Sequence, residues 1–469
     1  MMKKLIYTVI LLLFSYVSFS QEMNNTLYFL RYSPQANSLN PAITPEAKVW
    51  VGFPALSSIG LQYNNNSFNL EDIIIKKKNY TGDKPYMISI DNLYDNLSNN
   101  TTINMNTDIT LMSIGIRAKR DVYTLEMKHK NTFSMGFDKS LVGFFKEGTA
   151  AYKGETIQFG DTQFNGLAYN EIAIGYSREL DKEKKFIVGA KLKLIMGIAS
   201  MDMSDSNLSL DIAKDGLSAN VRSKMDVRVA GPILFKNPNA EEFKIDDVDY
   251  DDSDVAGTAL GSNNLGFGID LGVQYRLLEN VTLYASVLDL GFINWKEGHN
   301  VFMNADYDWD GIDFTNQIKD DSFDAMEEFS DELEKEFVLT KKDEGFIQAL
   351  PAKLFIGGQY KVKEWFTAGL LSRTQFYNGR VYSSLTASGN IAATRRLSAS
   401  LSYSVLNNSY TNVGLGVTAQ LGPLQLYMVT DNIFAANLAT TQLVNARFGM
   451  NIRVGLKKKR KLEELELVE

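Results

Sequence analysis

The residues best suited to bind a metal are Asp306-Tyr307-Asp308-Trp309-Asp310-Gly311-Ile312-Asp313. Carboxylates at alternate positions followed by glycine match the first half of a calcium loop, where oxygen ligands wrap a hard cation and glycine permits a tight turn. The twelfth position, where a bidentate glutamate belongs, is Gln317. Asp306, Asp308, Asp310 and Asp313 are therefore candidate ligands of Ca2+ in an outer loop, and the sequence suggests no other cofactor. A second acidic run, from Asp246 to Asp254, lacks the glycine. Catalytic patterns are scarce. The two histidines are His129, on a strand face, and His299, in a loop after Trp295. Neither belongs to an HExxH motif or neighbours a GxSxG elbow. The absence of cysteine removes thiolate chemistry, disulfides and a cysteine for lipid attachment. The expectation is a protein that is not an enzyme.

The elements that carry these residues repeat one pattern. In Leu265 to Leu277 every odd position is apolar, while Gly266, Gly268, Asp270, Gly272, Gln274 and Arg276 fill the even ones. A period of two means strand. Leu397 to Val405 repeats it with Ser398, Ser400, Ser402 and Ser404, and Val444 to Val454 with Asn445, Arg447, Gly449, Asn451 and Arg453. These runs have the length of transmembrane strands, and their Gly-, Ser- and Asn-rich faces suit a wet or plugged lumen. Sixteen segments qualify as strands, among them Lys48 to Gln62, Asn207 to Ala213 and Leu217 to Val229. Bacterial barrels use even counts, so the prediction is an all-β transmembrane antiparallel barrel of about 14 strands, the shortest candidates falling in extensions. Residues Gly231 to Asn264 and Lys296 to Leu350 read as long outer loops, with short helices in the loops.

Lys3 and Lys4, an apolar run from Leu5 to Phe14 and small residues before Gln21 read as a secretion signal over 1–20. Residues 21–47 form an N-terminal extension or plug, 48–455 the barrel and 456–469 a charged periplasmic tail. The formal charge of −8, which becomes −10 without Lys3 and Lys4, weighs against nucleic acid as a partner. No later run of 18 apolar residues marks a membrane helix. The location implied is the bacterial outer membrane, with its lipid as one partner and secretion or periplasmic proteins as others. Phe323, Met326, Phe329, Leu333 and Phe337 have the spacing of an amphipathic helix. Leu141, Val142, Phe144 and Phe145 make a short apolar element suited to an inward plug or to packing on the rim.

Ser38-Leu39-Asn40-Pro41-Ala42 before the first strand resembles an N-terminal signature of outer-membrane barrels of Bacteroidota. The segments 285–291 (ASVLDLG), followed by Trp295, and 426–434 (LYMVTDNIF) fit the same company. Together they resemble an uncharacterised barrel family, distantly similar to FadL-like fatty-acid transporters and to barrels of type IX secretion and gliding. The resemblance implies a hatch folded into the lumen, with Asn40, Pro41 and Ala42 in or near it. Read from the residues alone, Pro41 stops regular structure and Asn40 satisfies a turn. Arg447 and Arg453, with Asp270, Arg276 and Lys361, make a polar inner wall, so Asn40, Pro41, Ala42, Arg447 and Arg453 are the candidate binding residues. The function expected is a channel or transporter for a small or hydrophobic solute. The alternative is a structural or docking component of a secretion, gliding or surface-assembly system.

Overall fold

The computed structural model describes residues 24–455 except 31–32, 77–85, 161, 184, 238–239, 244–246, 251–262, 310–338, 378, 393, 395, 407–408 and 437. Fourteen antiparallel strands close into a ring. They are β1 (Val49–Gly52 continued by Ser58–Asn65), β2 (Asn100–Ala118), β3 (Asp121–Asp138), β4 (Gln163–Glu179), β5 (Phe186–Ile212), β6 (Leu265–Arg276) and β7 (Val281–Trp295). The second half holds β8 (Ala352–Lys363), β9 (Phe366–Tyr377), β10 (Arg380–Ile391), β11 (Leu397–Leu406), β12 (Ser409–Leu421), β13 (Leu424–Thr430) and β14 (Leu443–Val454). Each strand pairs with the next, and β14 pairs with both pieces of β1, so the ring has no open edge.

The alternation is inside out relative to a soluble protein. On β6, Leu265, Phe267, Leu271 and Tyr275 are exposed, whereas Asp270 and Gln274 are buried. A wall that exposes large apolar side chains and buries charge belongs in lipid, because only there is the outer face the apolar phase. Exposed aromatics gather toward the short-turn end of the strands, with Tyr123 against Tyr176 (5.4 Å) and Phe186 against Tyr275 (6.0 Å). Farther up, Phe133 meets Phe164 edge-on at 4.9 Å. Two such girdles mark the two interfaces of an outer-membrane barrel. Connections at the periplasmic end are short, and the long ones at the other end cluster over β1 to β8.

Several sequence expectations need correction. The segment Lys48 to Gln62 is not one strand: Pro54 has no N–H to donate and Ala55 turns left-handed (φ 57°), which breaks β1 after Gly52. Asn207 to Ala213 is the upper end of β5, a strand of 27 residues that runs past the rim. Leu217 to Val229 corresponds to Ala219–Ala230, which pairs with this upper end and with Gly298–Trp309, itself paired with Leu339–Asp343. The expected outer loops thus contain a standing wall of strands. It is hard to read because Val301, Phe302 and Met303 are consecutive and hide the period of two. His299, Asp306 and Asp308 lie on this wall rather than in loops. Residues 139–147 form a helix on the rim, where Leu141 and Phe144 pack on Ile157, Phe159 and Leu210. The predicted helix at 323–337, the signal 1–20 and the tail 456–469 lie outside the described residues.

Candidate functional site in the lumen

An N-terminal segment crosses the interior of the ring. Helix α1 (Asn25–Phe29) is followed by a 3-10 turn, Pro34–Ser38, and a buried stretch to Ile43. Its hydrogen bonds reach strands on opposite sides. Asn25 Nδ2 donates to Ser384 Oγ on β10 (3.1 Å), and Thr26 Oγ1 pairs with Ser402 Oγ on β11 (2.6 Å). The Thr26 N–H donates to Asp431 Oδ1 (2.7 Å). Across the lumen, Ser38 Oγ donates to Glu126 on β3 (3.2 Å), Ser177 Oγ on β4 to the Pro41 carbonyl (2.6 Å) and Ser286 Oγ on β7 to the Leu39 carbonyl (2.7 Å). Gln35 and Asn451 on β14 exchange amide bonds of 2.9 and 3.1 Å. The serine- and glycine-rich faces are thus the seats of this segment.

Glycine is required where the segment comes closest. A Cβ at Gly189 would stand 2.5 Å from the Pro41 carbonyl, and one at Gly272 would overlap Asn40 Oδ1 and lie 2.9 Å from Pro41 Cδ. Asn40 is held from three sides: its Nδ2 donates to Tyr28 Oη (3.0 Å) and the Ala285 carbonyl (3.2 Å), and its Oδ1 accepts from the Ala42 N–H (2.9 Å).

The interior has two unlike halves. On one side Leu27, Tyr28, Phe29, Leu30 and Leu39 pack against Tyr284, Leu288, Phe355, Leu371, Tyr427 and Val429. Burial of each large apolar side chain contributes about 1.5–3 kcal/mol to docking of the segment. On the other side stands a buried charge cluster. Glu126 Oε2 is 3.0 Å from both Lys128 and Lys191. Glu171 is 2.9 Å from Lys130 and 3.6 Å from Lys193, and Lys193 is 2.8 Å from Asp270. Asp289 joins three lysines: Lys193 (2.5 Å), Lys130 (3.3 Å) and Lys353 (3.3 Å). Every one of these charges meets an opposite charge, which offsets the desolvation each suffers.

Asp289 is also a backbone exception. It sits at φ 57° beside a bulge where the β6–β7 register shifts, and its N–H donates to Asp270 Oδ1 (2.7 Å). Non-glycine residues seldom adopt this conformation, although aspartate tolerates it better than most. The bulge re-aims Asp289 inward from a strand whose parity would otherwise turn it to lipid.

Of the residues nominated from sequence, Asn40, Pro41 and Ala42 lie inside the ring. Arg447 does so too: its Nε donates to Asn24 Oδ1 (2.9 Å), Nη1 to Ser58 Oγ (2.8 Å) and Nη2 to Asp108 Oδ2 (3.1 Å). Arg453 stands apart near the periplasmic end and donates to Gln420 (3.2 Å). Asp306 and Asp308 project from one face of an extended strand, where both accept from Asn220 Nδ2 (2.8 and 2.9 Å). Asp310 and Asp313 lie outside the described residues. Sequence reasoning missed the lysine and carboxylate cluster apart from Asp270. Its signal was present as Glu126, Lys128 and Lys130, then Lys191 and Lys193, charges at every second position of two strands.

Two recesses flank the segment. One of about 20 Å³ on the outer side is lined by Asn24, Asp108, Lys130, Lys353 and Arg447. One of about 500 Å³ opens on the periplasmic side under Phe29, Leu30 and Ile43.

A family profile described as a family of unknown function (DUF5723) matches residues 41–431. The chain belongs to DUF5723. No curated protein matches this DUF5723 chain in sequence. Among solved structures it is similar to the toluene transporter TbuX of Ralstonia pickettii, at 11% identity and a TM-score of 0.43 over 90% of this chain and 94% of that one. It is also similar to the toluene transporter TodX of Pseudomonas putida (10%, TM-score 0.40, 93% and 98% covered) and to a Pseudomonas aeruginosa FadL homologue (10%, TM-score 0.41, 94% and 100% covered). Likenesses of this degree leave the reading of the DUF5723 lumen to its own geometry.

Proposed function

We propose that the protein is a non-enzymatic outer-membrane channel or transporter for a small hydrophobic solute, and that the N-terminal segment is its plug. The observation that carries this reading is the apolar strip of Tyr284, Leu288, Phe355, Leu371, Tyr427 and Val429, covered by the segment's own Leu27, Tyr28 and Phe29. A lumen built only for water and ions needs no such strip. When the segment moves aside, the strip offers an apolar solute a surface comparable to the one it leaves, while the charged half keeps the ring rigid. The wide periplasmic recess gives the displaced segment and the solute a way out.

Cysteine substitution tests this directly, because the chain has none of its own. Thr26→Cys with Ser402→Cys replaces two hydroxyls 2.6 Å apart, a separation compatible with a disulfide. Bacterial cells carrying the oxidised pair should take up a fluorescent hydrophobic probe no faster than cells without the protein, and reduction should restore uptake. Equal uptake in both states would remove the plug from the mechanism.

The standing wall of β5, Ala219–Ala230 and Gly298–Trp309 favours a second reading, a docking component of a surface-assembly system such as the type IX secretion of Bacteroidota. Stoichiometric partners that survive extraction in mild detergent, and are lost on trimming the wall, would support it over transport.

A further inference from the structure

Above the wall strands β1 to β3 sits a small cap made of the helices Leu70–Ile73 and Ile90–Asn96, the hairpin Ile74–Lys76 with Tyr86–Ile88, and the rim helix Lys139–Glu147. Its core is Phe68, Ile73 and Leu97, packed on Ile103 of β2 and Phe137 of β3. Those two side chains fix its position. Met105 pairs with Phe133 and Ile103 with Met135, and alternate residues share a face, so Ile103 and Phe137 belong to the same outward register as the exposed Met105. The cap therefore stands on the lipid side of the wall, directly above the upper aromatic girdle, and not over the lumen.

Part of its exposed surface is apolar, beside the exposed carboxylates Asp91 and Asp95 that Lys146 pairs with. Tyr86, Met87, Ile88, Ile90 and Phe145 are all exposed, Tyr86 at 72% and Ile88 and Phe145 at 64%. An isolated two-stranded hairpin with apolar residues on both faces has little reason to persist in water. Cations border it in an interfacial arrangement: Lys76 Nζ lies 4.5 Å from the Tyr86 ring, and Lys139 and Lys146 lie 4.4 and 4.7 Å from the Tyr94 ring. Aromatic rings with lysines over their faces match the boundary between acyl chains and phosphates.

We infer that this cap is a membrane-contact device, in which Tyr86, Met87, Ile88 and Ile90 enter the outer leaflet while Lys76 stays at phosphate level. The contact is independent of what passes through the lumen. It is tested with the full chain in vesicles of phosphatidylethanolamine and phosphatidylglycerol, carrying an environment-sensitive dye at Ile88→Cys or Met87→Cys. Leu217→Cys, on the exposed turn at the top of the wall, is the reference. Heat-modifiable migration confirms a folded barrel in each case. The dyes on the hairpin should emit at shorter wavelength than the reference, be quenched by nitroxide-bearing lipid and resist aqueous iodide. Quenching by iodide equal to that of the reference would overturn the inference. So would lipid shielding that appears only at high protein density, which would make a second copy of the chain the occupant.

Discussion

Replacing Gly272 by alanine isolates the fit between the inner segment and the wall. Gly272 lies on β6, paired with Gly189 and Ser286, and its backbone bonds are unaffected by a methyl group. The added Cβ would overlap Asn40 Oδ1 and stand 2.9 Å from Pro41 Cδ and 3.0 Å from the Ala42 nitrogen. Ordinary carbon contacts are about 3.5–4.0 Å, so the segment must retreat by roughly 1 Å. That strains or breaks the bond of Asn40 to the Ala285 carbonyl on β7, at about 1 kcal/mol, with an overpacking cost of about 1–3 kcal/mol. A loss of about 2–4 kcal/mol in docking raises the released population by roughly 30- to 1000-fold, at about 1.4 kcal/mol per tenfold. Amide hydrogen exchange over residues 24–43 should accelerate accordingly, while the strands keep their protection. Gly136→Ala is the control, since a Cβ there meets nothing closer than 3.7 Å. Unchanged exchange in Gly272→Ala would refute the claim that glycine is there to seat the segment.

Three further outcomes are expected. Asp289→Asn keeps a residue that tolerates φ 57° but removes the charge shared by Lys130, Lys193 and Lys353; thermal unfolding in detergent should show a loss of about 3–5 kcal/mol, as for breaking a buried pair. Arg447→Lys keeps the charge but cannot hold Asn24, Ser58 and Asp108 together, so protease cleavage near residue 24 should rise with little change in the melting of the barrel. On the outer wall, the bonds from Lys341 and then His299 hold the Asp343 carboxyl below the ordinary carboxylate range. Its contribution is therefore present above the unfolded pKa and lost as pH falls through the lowered folded value. Because Asp343 is largely exposed, the effect stays below about 1 kcal/mol, and it should appear as acid-induced hydrogen exchange at 339–343 that Asp343→Asn abolishes.

The barrel was legible because lipid imposes one rule on every strand: Leu265 to Leu277 and Leu397 to Val405 state it without interruption. Of the sixteen candidate strands, Asn207 to Ala213 and Leu217 to Val229 are the two that leave the ring, and both belong to the wall beyond the rim, where that rule no longer holds. The lumen was harder to read. Glycine and serine on an inner face are compatible with water or with a close-packed chain, and contacts such as Pro41 against Gly189 and Asn40 against Gly272 distinguish the two. Asp289 was hidden for a different reason. The parity of β7 flips between Val287 and Leu290, a visible sign of a bulge, but the lysines that need the carboxylate come from β3, β5 and β8.

The two aromatic girdles also act as a ruler. Tyr123 and Phe133 are ten residues apart on β3. At about 3.3 Å per residue and a tilt near 40°, they stand roughly 25 Å apart along the membrane normal. In a bilayer of that depth both rings rest at an interface. A thicker one must thin locally around the barrel or draw the rings beneath its surface, at a fraction of a kcal/mol per ångström of mismatch. The wall itself thus selects the thin membrane in which the protein is at rest.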